Sequence, residues 1–343
     1  MSLSNAARRE VLPPPPEGVV AHALGLKSVS IGWLAGDGSD RCYYRVTSPE
    51  RTESLVLMQL SGQDAEKLKQ DEYDWIKVAR ILSAQGVFVP ELITTLRDNA
   101  AIVIQDYGDV MLEGRVKDLA SRGEWTTIRE LYRRCSGIVA QFLKVQPDPN
   151  AVWCQRSFDE ERYVWELNFF QKKYLQECAG ILLSKDEQDS FGREVHALAK
   201  ELAAQSHSFV HRDFHSRNIM AQGDKLAIID FQDARLGAPA YDLVSLCFDS
   251  YVPFSGAFRQ QLMEDGIKIL GVDVAKTWKP VLLQRQIKAI GSFGYLTVDK
   301  GRGDYLKYVD PALRTLEDAG VEDPRWPFLS GELLRKMRRK LVA

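Results

Sequence analysis

The sequence predicts an α+β protein with two lobes: a small N-terminal lobe made of an antiparallel β-sheet and one helix, and a larger, mostly helical C-terminal lobe. Residues 29–104 are rich in short β-type segments, whereas long amphipathic helical patterns begin at Thr126. The length of 343 residues leaves room for both lobes, at roughly 100 to 200 residues for each.

Residues 1–25 are predicted to form an N-terminal arm. The run Pro13–Pro16 offers no backbone N–H groups for hydrogen bonding and favours a stiff, extended chain. This start lacks the apolar run of a signal peptide, and no later segment approaches the roughly 18 apolar residues of a membrane-spanning helix. We therefore expect a cytoplasmic protein that has no membrane partner.

Composition argues against several other classes. The formal net charge is −2 and charged residues make up 27% of the chain, so neither disorder nor a nucleic-acid partner is favoured. The cysteines include no CxxC pair, which argues against a zinc site or a redox motif. We expect reduced thiols at Cys42, Cys135, Cys154, Cys178 and Cys247.

The N-terminal lobe is predicted to span residues 26–108 and to bind the nucleotide. Apolar residues at close to helical spacing predict one helix over Asp64–Gln85, which ends at Gly86. The β-type segments that flank this helix predict antiparallel strands at Val29–Ile31, Cys42–Val46, Leu55–Leu60 and Ala101–Ile104.

The C-terminal lobe is predicted to span residues 109–343 and to carry the catalytic and substrate-binding groups. Its helices are interrupted by two short predicted strands, Phe209–Val210 and Lys225–Ile229, which enclose a polar loop. Amphipathic patterns predict long helices at Thr126–Val145, Asp159–Gln176 and Lys185–Ala204.

The polar loop between these strands carries the most specific motif of the chain. Residues 211–218 read HRDFHSRN, which matches the catalytic-loop pattern H-R-D-x-x-x-x-N of kinases. Twelve residues after Asn218, the apolar pair Ile228–Ile229 precedes Asp230, so this carboxylate is expected to follow a buried strand. The order and spacing of these groups predict a site for phosphoryl transfer.

The chemistry of phosphoryl transfer explains these residue types. The transferred group is metaphosphate-like, so catalysis consists mainly of neutralising its charge and holding the acceptor oxygen in line. Magnesium prefers hard oxygen ligands, which Asn218 and Asp230 supply. Asp213 is predicted to accept a hydrogen bond from the acceptor hydroxyl and to take its proton as general base. ATP and Mg²⁺ are the predicted cofactors.

Simpler interpretations of the same residues exist. An HRD triplet also occurs by chance, and Asp230 in isolation would only end a strand. His207, His211 and His215 recur every four residues, as on a metal-binding face, but no HExxH motif is present. The agreement of order, spacing and strand context favours the kinase interpretation over these alternatives.

Longer stretches around the motif carry a family resemblance. FVHRDFHSRNIM (Phe209–Met220) and IIDFQDARLGAPAYDLVSL (residues 228–246) resemble the aminoglycoside phosphotransferase family, a branch of the protein-kinase-like fold. GDGSDRCYYRV (Gly36–Val46), LVLMQL (Leu55–Leu60) and IDFQDA are most similar to bacterial cell-wall sugar kinases, the N-acetylmuramate/N-acetylglucosamine 1-kinases. The resemblance implies a bilobal, protein-kinase-like fold.

The resemblance also implies a reaction. It implies ATP-dependent phosphate transfer to the anomeric hydroxyl of an N-acetylated amino sugar, in cell-wall recycling. An aminoglycoside, choline, homoserine or a thio-sugar is the alternative acceptor within the same fold. A nucleotide-binding pseudokinase is the alternative of another class.

Supporting and adenine-binding residues follow from the resemblance as well. It implies that Asp242 braces the catalytic loop with His211, where the residue pattern alone predicts an ordinary helix N-cap. It further implies that Gln105, Asp106 and Tyr107 form the hinge whose backbone meets adenine. The pattern alone predicts only a strand-to-helix turn there.

A glycine-containing turn lies between the first two predicted strands. The backbone amides of Gly36, Gly38 and Ser39 are predicted to lie over the nucleotide phosphates. The alternative is a tight hairpin that needs glycine only for its backbone conformation.

The strand Leu55–Leu60 departs from the kinase pattern. Met58 stands where kinases place the lysine that grips the α- and β-phosphates, so Glu72, predicted to support the site from the helix, loses its obvious partner. Arg41 and Arg45 flank Cys42–Tyr44 on the neighbouring strand, and one of them is predicted to replace the lysine's charge. Arg45 is therefore also a predicted nucleotide contact. The alternative is that its side chain is only solvated, as exposed arginines on a strand usually are.

Acceptor-binding candidates come from two predicted helices of the C-terminal lobe. Asp159 and Glu166 lie on SFDEERYVWELNFFQKKYL, and Arg285 and Lys288 lie on LLQRQIKAIGSFGYL. A solvated helix face or a structural salt bridge is the alternative for each of them. An acidic pocket would favour cationic acceptors, whereas a pocket of mixed charge would favour sugars.

Overall fold

The computed structural model describes residues 12–36 and 41–342, which divide into two compact units. The first, the sheet unit, contains the described part of Met1–Val110 together with Met220–Gln232. The second, the helical unit, contains Met111–Ile219 and the described part of Asp233–Ala343. The segment Met220–Gln232 thus leaves the helical part of the sequence to join the sheet unit.

The sheet unit is built on a five-stranded antiparallel sheet with the strand order β1-β2-β3-β5-β4. The strand that the sequence analysis missed is β4, whose residues are nearly all half-buried and therefore show no buried alternating face. The strands are β1 (Ser30–Gly36), β2 (Cys42–Thr47), β3 (Leu55–Gln59), β4 (Leu92–Leu96) and β5 (Ala101–Gln105).

A helix precedes the sheet inside the predicted arm. Helix α1 (Glu17–Leu24) buries Val20 and Ala21 in the apolar core of the sheet. The preceding Pro16 is compatible with a helix start, because a proline before the first turn removes no hydrogen bond that the helix needs. Residues 17–24 are therefore packed rather than extended as the proline run suggested.

The single helix predicted over residues 64–85 is two helices, α2 (Gly62–Lys69) and α3 (Asp74–Ala84). Asp71 between them has a φ of 61°, a left-handed conformation that an α-helix cannot continue through. The break lets Tyr73 and Trp75 become almost fully buried. Apolar spacing alone did not reveal the break because both helices bury the same kind of residue.

The segment Met220–Gln232 is tied to the sheet unit by backbone hydrogen bonds. It contains most of the hairpin of β7 and β8, and the Ile228 amide of β8 donates to the Phe88 carbonyl at 2.8 Å. The Ala221 amide donates to the Val110 carbonyl, also at 2.8 Å. The four short strands of this region are β6 (Ser208–Val210), β7 (Ile219–Gln222), β8 (Lys225–Ile228) and β9 (Arg235–Gly237).

The helical unit contains the long helices that the amphipathic patterns predict, with ends that differ by a few residues. Helix α6 continues into a π-helical stretch at Gln171–Cys178. The helices are α4 (Leu112–Ser121), α5 (Trp125–Phe142), α6 (Glu160–Phe170), α7 (Lys185–Ala203), α8 (Tyr241–Cys247), α9 (Gly256–Leu270), α10 (Val272–Val298), α11 (Val309–Asp318) and α12 (Leu333–Val342). Within residues 12–36 and 41–342, none of the helices combines the length and apolarity needed to cross a bilayer.

Two glycines allow α10 to lie directly against α6 and the π-helical stretch. A Cβ atom on Gly291 would come within 2.7 Å of the Phe170 Cα, and one on Gly294 within 2.8 Å of the Lys173 carbonyl oxygen. Such distances exclude any side chain, so the close approach requires glycine at both positions. This close packing fixes the position of α10, the helix that carries Lys288 and Ser292.

Candidate active site

The catalytic loop begins at a strand that is fixed by pairing and by a buried carboxylate. Strand β6 pairs with β9, and the loop leaves β6 at His211. Asp242, near the start of α8, accepts hydrogen bonds from the backbone amides of His211 at 2.7 Å and of Arg212 at 3.1 Å. Arg212 has a φ of 83°, so the carboxylate holds a backbone conformation that few residues adopt.

The environment of Asp242 favours its protonated form. Burial raises the pKa of this carboxyl to about 7, although the two backbone amides act in the opposite direction. A carboxyl whose folded-state pKa is raised holds its proton more tightly in the folded than in the unfolded chain. Its contribution to stability is therefore complete below about pH 4 and is lost progressively as the pH rises towards 7.

We expect the stability advantage of the wild type over Asp242→Asn to shrink by on the order of 2 kcal/mol between pH 5 and pH 8, because only the wild type titrates at this site. Urea unfolding at both pH values measures the difference. Asp265→Asn is the matched control. Hydrogen bonding from Arg129 lowers the pKa of Asp265, so the stability difference between the wild type and this variant should stay constant over the same pH range. A constant difference for Asp242→Asn would show that Asp242 is ionised throughout.

Asp213 is held in its ionised form by two cations. The Lys288 Nζ atom lies 3.0 Å from Asp213 Oδ1, and the Arg212 Nε atom lies 3.8 Å from Asp213 Oδ2. Burial by itself raises the pKa of the Asp213 carboxyl, but the charges of Lys288 and Arg212 outweigh it and hold the pKa well below its usual value. An ionised carboxylate at this position can accept a hydrogen bond from a hydroxyl group.

Asn218 is oriented by the loop itself. Its Nδ2 atom donates to the Asp213 backbone carbonyl at 2.9 Å, and its own amide donates to the His215 carbonyl at 2.9 Å. Asp249 holds the middle of the loop, since its Oδ2 atom accepts from the Ser216 amide at 2.9 Å and from the Ser216 hydroxyl. The motif residues on this loop therefore form one rigid arrangement.

Asp230 lies in the sheet unit, two residues after the end of β8. Its φ of 62° turns the chain sharply there, and the ring of the following Phe231 packs against Trp75 at 5.1 Å. The Gln232 Nε2 atom donates to Asp230 Oδ1 at 2.7 Å, and the carboxylate side chain remains 41% exposed. The structure confirms that a buried strand precedes this carboxylate.

Both predicted metal ligands carry hard oxygen atoms. Asn218 in the helical unit has an amide oxygen and Asp230 in the sheet unit has a carboxylate, and magnesium prefers ligands of this kind. Among the residues described, no three histidine, cysteine or acidic side chains cluster in a way that could hold a metal ion. Of the three regularly spaced histidines, the middle one, His211, is fully buried between the rings of Phe142 and Phe214.

A pocket of about 90 Å³ opens beside Asp213 in the helical unit. Its charged groups are balanced, with the carboxylates of Asp213 and Asp249 facing the cations Arg285 and Lys288. Polar and aromatic groups complete the wall. They are His215, Ser250, Tyr251, Ser292 and Phe293, with Ala289 between them.

Two of the four acceptor candidates, Arg285 and Lys288, line this pocket. Arg285 is 6% exposed and donates to Ser245 Oγ and Gln286 Oε1, both at 3.1 Å. Asp159 is instead the N-cap of α6, where it accepts from the Arg162 amide at 2.7 Å.

Glu166, the other candidate on α6, has a structural environment. It is 2% exposed and accepts from Gln284 Nε2 at 2.9 Å, with Arg162 Nε 3.4 Å away. The sequence analysis did not identify Asp249, Tyr251 or Phe293 as pocket residues. No local pattern marks these three residues, since only the packing of α8 and α10 brings them beside the catalytic loop.

The predicted hinge residues follow β5 in the sheet unit. Asp106 accepts from Arg45 Nε, Ser54 Oγ and the Gly108 amide, each at 2.7 Å. Burial raises the pKa of Asp106, but these donors outweigh it and lower the pKa overall. The Asp106 side chain is therefore committed to the turn.

The remaining predicted nucleotide contacts have different outcomes. Gly36 is the last residue of β1 and pairs with Cys42, whereas Gly38 and Ser39 lie outside the described residues. Glu72 lies between α2 and α3, with its side chain 60% exposed and paired with Lys77. Glu72, predicted to support the site, is thus a largely exposed residue whose ion pair is with its own neighbouring helix α3.

Known proteins share the sequence and the fold. Residues 33–276 match the family described as "Phosphotransferase enzyme family". The chain is 27% identical over 318 residues to the N-acetylmuramate/N-acetylglucosamine kinase of Pseudomonas aeruginosa, across 88% of this chain and 87% of that protein. It is 25% identical over 289 residues to the protein of the same name from Neisseria meningitidis serogroup B, across 81% and 82%.

A solved structure extends the likeness to three dimensions. The ADP-bound aminoglycoside phosphotransferase APH(2'')-Ib has a TM-score of 0.58 and 15% sequence identity, over 87% of this chain and 97% of that chain. At this identity the likeness concerns the fold.

Proposed function

This chain belongs to the phosphotransferase enzyme family, and from that membership we propose that it transfers the γ-phosphoryl group of ATP to the anomeric hydroxyl of N-acetylmuramate or N-acetylglucosamine. The chain is a small-molecule kinase with an alcohol acceptor. The family and the protein-kinase-like fold that the sequence predicts are confirmed. The cytoplasmic location and a role in cell-wall recycling remain part of the proposal.

The charge balance of the pocket beside Asp213 carries the proposal of a sugar acceptor. Two carboxylates and two cations line it, so a polycationic aminoglycoside gains no net attraction there. Hydroxyl, amide and aromatic groups in the wall suit a neutral sugar ring with an N-acetyl group. The names of the curated relatives agree with this acceptor class.

The proposed roles follow from the motif and from the surroundings of each group. Asp213, ionised beside Lys288, accepts the hydrogen bond of the acceptor hydroxyl and takes its proton as the new P–O bond forms. Asn218 and Asp230 would hold magnesium, which supplies positive charge to the phosphate oxygens. Asp242 and His211 support the loop through the hydrogen bond that the His211 backbone amide donates to the Asp242 carboxyl group.

Nucleotide contacts complete the proposal. The backbone of Gln105, Asp106 and Tyr107 is proposed to meet adenine. The turn that contains Gly36, Gly38 and Ser39 is proposed to cover the phosphates.

Phosphate transfer from labelled ATP onto a panel of acceptors tests this function. We expect kcat/KM for the two N-acetylated amino sugars to exceed that for an aminoglycoside, choline or homoserine by at least about 100-fold, as expected when the pocket's polar groups are paired only by the correct acceptor. Faster transfer to the aminoglycoside would contradict the sugar assignment. Nucleotide binding without transfer to any acceptor would indicate a pseudokinase.

A further inference from the structure

The position of the missing strand lysine is occupied by an uncharged, buried side chain. Met58 on β3 is 2% exposed, and its neighbours across the sheet are Tyr43 on β2 and Ile102 on β5. Its sulfur accepts the hydroxyl of Tyr73 at 3.4 Å. No positive charge reaches the nucleotide from this strand position, so the neutralisation of the phosphates must come from elsewhere.

Arg41 brings a guanidinium group to the same part of the sheet unit. It directly precedes β2, and its side chain is 10% exposed. The Arg41 Nε and Nη2 atoms lie 3.0 Å and 2.9 Å from Asp64 Oδ2, on helix α2. The Arg41 Nη1 atom lies 3.9 Å from Asp230 Oδ1, within ion-pair range but beyond hydrogen-bond length. The guanidinium group of Arg41 thus lies between the Asp64 carboxylate and the Asp230 carboxylate, which is proposed to hold magnesium.

We propose that Arg41 is the phosphate-binding cation of this kinase in place of the absent lysine, with Asp64 as its positioning residue. This inference rests on the proposed function, because it requires that the chain bind a nucleotide. A guanidinium group suits the task, since its planar fork donates two parallel hydrogen bonds to phosphate oxygens. The sequence analysis expected Glu72 to support the site from the helix. In this proposal Asp64 on α2 has that role, because its carboxylate fixes the guanidinium group of Arg41.

The arginine within β2 lies at another place in the sheet unit. Arg45 lies 2.7 Å from Asp106 and 2.8 Å from Asp109, and these ion pairs anchor β2 to the segment that follows β5. Arg41 instead lies beside Asp230, the carboxylate proposed to hold magnesium. The geometry therefore favours Arg41 over Arg45 as the phosphate contact.

Arg97→Met is the matched control. Arg97 is an arginine of the same unit that pairs with Asp71, and its side chain is 50% exposed.

Calorimetric titration with MgADP tests the proposal without any acceptor. We expect Arg41→Met to weaken MgADP binding about 10- to 100-fold, the usual loss for a hydrogen-bonded charge pair, and the control Arg97→Met to weaken it less than about 3-fold. The melting temperature without nucleotide reports on folding. If Arg41→Met is unstable, Arg41→Gln decides the matter, because it keeps a polar contact with Asp64 and removes only the charge.

A relocated lysine provides a rescue experiment. The double variant Arg41→Met with Met58→Lys places the cation where other kinases carry it, and we expect its MgADP affinity to return to within about tenfold of the wild type. Asp64→Asn should raise the KM for ATP more than it lowers kcat, and Asp64→Glu should restore the KM. A purely structural Asp64 would instead lower both stability and kcat.

The outcomes separate the two claims. Wild-type affinity in a folded Arg41→Met or Arg41→Gln protein overturns this inference and leaves the kinase assignment intact. A wild-type protein that binds no MgADP overturns the proposed function itself. A wild-type protein that binds MgADP but phosphorylates no acceptor removes the sugar proposal, while the role of Arg41 is still decided by the binding data.

Discussion

Asp213→Asn is expected to lower kcat for phosphate transfer by roughly 10²- to 10⁴-fold, the range that general-base catalysis supplies, with little change in MgADP affinity. Asparagine has the same shape but no carboxylate to accept a proton from the acceptor hydroxyl. The ion pair with Lys288 at 3.0 Å is lost at the same time, which leaves that cation beside the pocket without its partner.

Steady-state transfer to the preferred sugar and calorimetric titration with MgADP together measure this expectation. Asp265→Asn is a suitable control, because Asp265 is a buried carboxylate on α9 that pairs with Arg129 on α5 and has no proposed role in the reaction. Its kcat should equal that of the wild type. If Asp213→Asn retains turnover within tenfold of the wild type, Asp213 is not the general base.

Asp230→Ala is the second variant with a large expected effect. We expect kcat/KM for ATP to fall by roughly 10³-fold, since a bound metal ion supplies several kcal/mol of charge stabilisation. Arg41 keeps its closer partner Asp64 at 2.9 Å, so the sheet unit should fold normally in this variant. The loss should therefore lie in nucleotide and metal binding.

The dependence of ADP affinity on magnesium is the direct measurement for Asp230. Wild-type protein should bind ADP more tightly with 5 mM Mg²⁺, about the concentration that saturates the nucleotide, than with EDTA, and Asp230→Ala should show almost no difference. Asp98→Ala, an exposed carboxylate of the same unit, is the control and should respond to magnesium as the wild type does. An unchanged MgADP titration for Asp230→Ala would remove Asp230 from the metal site.

Much of this protein could be predicted from local patterns. The spacing within residues 211–218 predicted that Asp213 and Asn218 lie close together, and the Asn218 side chain does donate to the Asp213 backbone carbonyl, because the loop that joins them is short. The apolar pair before Asp230 correctly indicated a strand, and the long helices α5, α6 and α7 followed from their apolar periodicity. Two departures were the break at Asp71 and the half-buried strand β4, which show no local signal.

Contacts between distant segments could not be predicted from such local patterns. Lys288 meets Asp213 across 75 positions of the chain, and Arg41 meets Asp64 across 23. Each pair depends on how one element packs against another, which a single stretch of sequence does not specify. The same holds for Asp249, whose approach to Ser216 depends on the position of α8.

The sequence by itself determined the kind of chemistry, since the motif residues and their spacing are local properties of a short loop and a strand end. Only the tertiary structure decided which carboxylates each cation meets and what lines the pocket beside Asp213. The physical reason is that charge acts through space: Arg41 and Arg45 look alike in the sequence, but one meets the carboxylates of Asp64 and Asp230 and the other those of Asp106 and Asp109.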